Sequence, residues 1–295
     1  MKKVLAIGLF ITFGFITASA ISPYLKVASL SGSISEASEK VTDLLTTRGY
    51  EVLGQYQPGE NPNLYVVVFT SSKLKTLCKK SNDRGMLAAA MRVGFQKLGE
   101  EVSVSILNPE YLFYAYFREQ MEESSFNSFA MEVSSEIKDS LKGVGTMTEP
   151  FGGDLSQKDL IKYHYMMGMP FFDDPVELAE FDTFEQGLST IQKNLSKVSG
   201  RTVKVYEIVD KGSHVAVFGV GLPDAEEGEA HFLPIIGESH VAAMPYEIIL
   251  QGNQATMLHG RYRFALNWPE LKMKTFTKIM SSPGDVEDAM KTLVE

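Results

Sequence analysis

The 295-residue chain is poor in the residues and patterns by which most chemistry is recognised. It has a single cysteine, Cys78, so no internal disulfide can form and stability has to come from a packed core. A C-x-x-C-H haem-attachment motif is excluded for the same reason. No basic run with interleaved aromatics occurs, and 28 Lys and Arg against 37 Asp and Glu leave a net charge of -9. Binding to nucleic acid, which relies on clustered cations to displace counterions, is set aside. The serine-hydrolase, zinc-protease and phosphate-loop signatures are all missing. Gly219-Val220-Gly221 is followed by Pro223 and an acidic loop that would repel phosphate, so it reads as a turn. Asp224, Glu226, Glu227 and Glu229 in that loop miss the EF-hand spacing.

What is present begins at the N-terminus. Lys2 and Lys3 precede an apolar stretch from Val4 to Ile16, and Ala18-Ser19-Ala20 supplies small residues for a signal peptidase. Residues 1–20 are therefore expected to be a secretory signal, leaving Ile21 as the mature N-terminus of a periplasmic or secreted protein. The alternative, an uncleaved anchor, is opposed by a stretch slightly short of the roughly 20 residues of a full span. No second apolar run approaches that length, so no stable membrane span is expected after cleavage. Cys78 follows Leu74 and Leu77 in a helical pattern beside Lys79 and Lys80. It reads as a core-edge residue, with a lysine-activated thiol as the alternative.

The chain also says similar things twice. Ala89-Ala90-Met91 leads into a strand-like run and then Leu107-Asn108-Pro109-Glu110-Tyr111-Leu112. Ala242-Ala243-Met244 leads into another and then Leu266-Asn267-Trp268-Pro269-Glu270-Leu271. Such self-similarity decides architecture before chemistry. It predicts an α+β protein of two related units, each a small antiparallel or mixed sheet covered by helices. The expected boundaries are 33–142 for the first unit, 143–182 for a linker with a short helix, and 183–295 for the second unit. Residues up to about Gly32 read as an extended leader. Within the first unit the patterning predicts a helix ending at Arg48 before Gly49, strands at 50–55 and 64–69, and helical stretches at 72–80 and 85–91. A hairpin about Gly99-Glu100 follows, then helix from Asn108-Pro109 towards Leu141. The aromatic cluster Tyr111, Phe113, Tyr114, Tyr116 and Phe117 reads as core, with a pocket lining as the alternative. Ser156 caps a short helix running to Met169-Pro170. In the second unit a helix is predicted at 184–195, a strand pair at 202–209 and 214–220, a hairpin of 246–250 with 255–266, and a helix from Pro283.

The segments Arg48-Gly49-Tyr50-Glu51-Val52, Val66-Val67-Val68-Phe69, Lys73-Leu74 and Leu87-Ala88-Ala89-Ala90-Met91-Arg92-Val93 together resemble the domain of unknown function 302 family. Val217-Phe218-Gly219 and Ala243-Met244-Pro245-Tyr246 form a looser second version. The chain departs from that family at Thr70-Ser71-Ser72, where Gly-Asn-Pro is usual. The resemblance implies a small α/β fold and leaves function open.

His and Met placement is the chemically suggestive feature. His164 and Met167 share a helical face in the expected helix. His240 and Met244 are four apart. Met257, His259, Arg261 and Arg263 alternate, so a strand would present all four on one face. Thioether and imidazole ligands suit copper(I), and axial His or Met with nearby Arg suits haem. The plain alternative is that Met fills core gaps and each His is structural. The resulting expectation is an exported, non-enzymatic protein that binds a small ligand or a protein partner around Met257, His259, Arg261, Arg263, His240 and Met244. The competing expectation is a periplasmic copper or haem handler using His164 and Met167.

Overall fold

The computed structural model describes residues 20–81, 83–146 and 149–295. The expected signal segment lies outside these residues up to its final Ala20. Thirteen strands form among the described residues: β1 (Ala20–Ile21), β2 (Tyr24–Ser31), β3 (Glu51–Tyr56), β4 (Leu64–Thr70), β5 (Met91–Leu98), β6 (Glu101–Leu107), β7 (Glu149–Phe151), β8 (Leu155–Ser156), β9 (Val176–Glu180), β10 (Val203–Asp210), β11 (Val215–Gly221), β12 (Tyr246–Gln251) and β13 (Gln254–Met257). The helices are α1 (Ile34–Thr47), α2 (Ser72–Cys78), α3 (Pro109–Phe117), α4 (Ser124–Ser140), α5 (Gln157–Ile161), α6 (Phe184–Leu195), α7 (Glu229–Ile236), α8 (Gly260–Asn267), α9 (Met273–Phe276) and α10 (Ser282–Lys291). No helix among the described residues is long and apolar enough to cross a membrane.

The strands make a six-stranded sheet, β3-β4-β5-β6-β2-β7, a five-stranded sheet, β10-β11-β12-β13-β9, and the small pair β1-β8. All pairings are antiparallel. The protein is thus α+β, with two main antiparallel sheets whose surrounding elements follow the same order. In each, a strand leads to a helix, then two strands, a helix and a 3₁₀ segment, then a hairpin and a further helix. The first strand of each unit returns to pair beside the last. β4 shows why the sequence settles this way. Val66, Val67, Val68 and Phe69 are all fully buried, as a central strand covered on both faces requires. Each such side chain contributes roughly 1.5–3 kcal/mol by leaving water. α1 is begun by Ser33, which accepts from the Glu36 amide while the Glu36 carboxylate accepts from the Ser33 amide.

The structure departs from the sequence expectations in five places. The leader up to Gly32 contains β2, which pairs with β6 on one side and β7 on the other. Residues 85–89 form a 3₁₀ turn, and the following strand starts at Met91. The short helix after Ser156 ends at Ile161, well before Met169. The connection before Phe184 contains β9, an edge strand of the second sheet. The strand expected over 255–266 stops at Met257, and α8 follows.

The units meet along a seam that explains the repeated Ala-Ala-Met. The 3₁₀ segment Glu238–Ala243 lies on β4 and β5, and Gly85–Ala89 lies reciprocally against β11 and β12. Small side chains are needed there. A Cβ on Gly94 would sit 2.7 Å from the Ala242 amide nitrogen, and one on Gly54 would sit 2.0 Å from the Val205 carbonyl oxygen, where edge strands β3 and β10 touch.

Charge is buried in the same seam. Arg92 of β5 ion-pairs with Glu247 of β12, and Arg263 Nε of α8 lies 3.6 Å from the same carboxylate; all three are buried. Glu229, fully buried at the start of α7, accepts from the Tyr56 hydroxyl (2.9 Å) and the Gly59 amide (3.0 Å). Asn61 and Gln96 donate to Glu238, and Lys79 pairs with Asp210 at 2.6 Å.

Candidate functional site

The side chains singled out in the sequence do not form one cluster. Met257 is buried in β13. His259 caps α8, its Nδ1 accepting from the Arg261 amide. Arg261 and Arg263 lie on the helix, one exposed and one buried, because two residues on a helix turn a side chain to nearly the opposite face. The shared strand face expected for these four residues is therefore not formed. Arg263 instead donates to the carbonyls of Ala243 and Pro245 and lies 3.7 Å over the Tyr246 ring.

His240 and Met244 are both buried. His240 is held by a 3.1 Å contact from Nδ1 to the Asn267 carbonyl and packs against Tyr24, Phe151 and Trp268. Burial pushes its pKa down to about 4, so it is neutral near pH 7. His164 packs on Phe171 in a turn beyond α5, and Met167 is 95% exposed two residues before Met169. The helical face expected to hold His164 and Met167 is absent. Among the described residues no three His, Cys, Asp or Glu side chains are grouped so as to hold a metal ion. Cys78 is fully buried and burial pushes its thiol pKa up, so the lysine-activated thiol is not formed.

A different constellation lies where α3, α5, the 162–173 turn and α8 converge. It lines a cavity of about 260 Å³, open to solvent on one side and walled by Leu160, Tyr163, Phe171, Phe172, Tyr262 and Arg118, with Lys162, Glu119 and Asp173 at its polar edge. Its walls are mainly aromatic with a few converging polar groups, the usual make-up of a ligand site. The α3 aromatics expected to be core, Tyr111, Phe113, Tyr114, Tyr116 and Phe117, are all buried, and Ala115 between them reaches the cavity.

Two features of the wall are costly. Arg118, directly after α3, has φ 51° and ψ −126°, a backbone conformation that L side chains rarely adopt and that costs on the order of 1–3 kcal/mol. Its guanidinium is fixed by Asp173 (2.8 Å) and Asp83 (3.3 Å), and Asp83 in turn pairs with Arg84 at 2.6 Å. Both arginines flank the Phe172 ring, at 5.0 Å for Arg84 and 5.9 Å for Arg118. Arg84 is also left-handed, with φ 54°. The second cost is Tyr262. Its hydroxyl is buried with no hydrogen-bond partner, and burial raises its pKa well above that of a free tyrosine. Tyr163 beside it is satisfied, donating to the Ala265 carbonyl at 2.8 Å.

No family model matches the chain, and no curated protein matches it. A solved structure described as an uncharacterized conserved DUF302 protein from Bacillus stearothermophilus is similar to it, with 13% identity over 40% of this chain and 94% of that chain and a TM-score of 0.32.

Proposed function

We propose that the chain is an exported, internally duplicated, non-enzymatic binding protein. In this reading it holds a small molecule with an apolar body and a hydrogen-bond acceptor in the cavity walled by Arg118, Phe172 and Tyr262. The observation that carries the reading is Tyr262: its ring lines the cavity, and its hydroxyl is buried behind that wall with no partner, so that a small shift of the ring would bring it to a ligand acceptor. An unmet buried donor costs about 1–3 kcal/mol, and a ligand acceptor removes that cost. The strained Arg118 beside it fits the same use, since strain persists where the surrounding structure holds a residue in place for a purpose. Export is supported by residues 1–20, and duplication by the matching order of elements in the two units. Copper and haem have no comparable support, because His164, Met167, His240, Met244, Met257 and His259 are spread over separate environments.

The test is native mass spectrometry of the protein purified from its host, followed by thermal-shift measurements with small aromatic and aliphatic acids, amides and amines. A ligand at about 100 times its Kd adds about 2.7 kcal/mol, or roughly 5–10 °C for a chain of this size. The shift should vanish in Tyr262→Phe, while that variant alone melts no lower than the parent because it removes only an unmet hydroxyl. A ligand whose shift survives Tyr262→Phe, or a protein with no co-purified mass and no shift, overturns the reading.

A further inference from the structure

Away from the cavity, the surface around α9 carries a different pattern. Met166, Met169, Leu271, Met273 and Phe276 surround an open apolar groove with Trp268 in its wall. Met166, Met167, Met273 and Met280 are exposed by about half or more. Interleaved with them are four exposed cations, Arg261, Lys272, Lys274 and Lys278, none of them in an ion pair among the described residues. Between residues 261 and 280 the one acidic side chain is Glu270, although the whole chain has a net charge of -9. Exposed lysines thus alternate with exposed methionines along this one segment. Flexible thioether side chains enter disordered apolar surroundings readily, and lysines beside them are attracted to anionic headgroups.

We infer that the face formed by Met166, Met167, Lys272, Met273, Lys274 and Met280 docks on an anionic lipid surface, with lysines at the headgroups and methionines at the acyl boundary. Neither signal alone anchors a protein stably, and apolar insertion together with a basic patch does. This inference stands apart from the ligand cavity, which has other walls.

The chain reports on this contact itself, because Trp268 is its one tryptophan and lines the groove. The experiment uses the full chain with vesicles of phosphatidylcholine alone or mixed with phosphatidylglycerol, their acyl chains brominated to quench nearby tryptophan. Trp268 fluorescence should fall on the phosphatidylglycerol vesicles, stay unchanged on phosphatidylcholine alone, and recover at high salt. The triple variant K272Q/K274Q/K278Q should lose on the order of a hundredfold in apparent partitioning. Its substituted side chains are exposed, so circular dichroism and melting should match the parent, and K274Q alone gives a smaller loss in the same direction if they do not. Equal quenching on both vesicle types, or quenching that survives the triple variant, shows that these lysines do not direct the contact and overturns the inference. So does an emission change with an acidic amphipathic peptide in the absence of any response to vesicles.

Discussion

Two buried titratable side chains oppose each other. Burial pushes Glu229 up to about 7 from an ordinary 4.5, against the hydrogen bonds from Gly59 and Tyr56. Its contribution to stability is complete below about pH 4.5 and is lost as pH rises through 7. His240, pushed down to about 4 from 6.5, contributes above about pH 6.5 and loses that contribution as pH falls through 4. At 1.36 kcal/mol per unit each amounts to about 3 kcal/mol. Between pH 4.5 and 6.5 the two slopes cancel, so their joint contribution is flat. Glu229→Gln should remove one slope, and urea melts of that variant should show stability rising by about 2–3 kcal/mol across that window. A flat profile in the variant would show that His240 is not titrating as placed. The Arg92–Glu247–Arg263 group gives a second comparison at this scale. Glu247→Leu strands two buried guanidiniums and should cost about 3–5 kcal/mol. Arg92→Leu leaves Glu247 beside Arg263 and should cost less, as paired denaturation curves would read.

At the scale of elements, the tight contacts belong to glycine. Gly94→Ala drives a methyl group against the Ala242 amide and the Val241 side chain. Overpacking of this kind costs about 1–3 kcal/mol, a fall of roughly 2–4 °C per kcal/mol. Gly200→Ala, with open space around it, serves as the control and should melt within about a degree of the parent. How far the sequence could be read varies with the element. β4 was legible because a fully apolar run of strand length has few other solutions, and α3 because Asn108 and Pro109 mark a helix start by their own chemistry. α8 was misread because Tyr262, Phe264 and Leu266 alternate with Arg261, Arg263 and Ala265, which imitates a strand. The burial of Arg263 against Tyr246 and two carbonyls is a tertiary fact that no local pattern carries. The cavity was invisible for a related reason. Arg118, Phe172 and Tyr262 come from three distant segments, and only the aromatic density of 111–117 marked the neighbourhood. Ala-Ala-Met was visible as a repeat, but its role in letting two backbones approach needed the seam.

For the whole molecule, the seam has a direction. Tyr56, Gly59, Asn61, Lys79, Arg92 and Gln96 all come from the first unit, and all present hydrogen-bond donors. Their partners, Glu229, Glu238, Asp210 and Glu247, are all carboxylates of the second. Tyr24 and Tyr111 extend the rule by donating to the carbonyls of Asn267 and Leu266. Residues 20–146 and 149–295, produced together as separate chains, should therefore associate one to one, while neither forms a pair with itself in light scattering. A stable pair of like halves would contradict this. The consequence is likeness without interchangeability. The halves share an order of elements, yet across the seam the side chains of one give protons and those of the other receive them, so each is a mould for its counterpart and a misfit for its own copy.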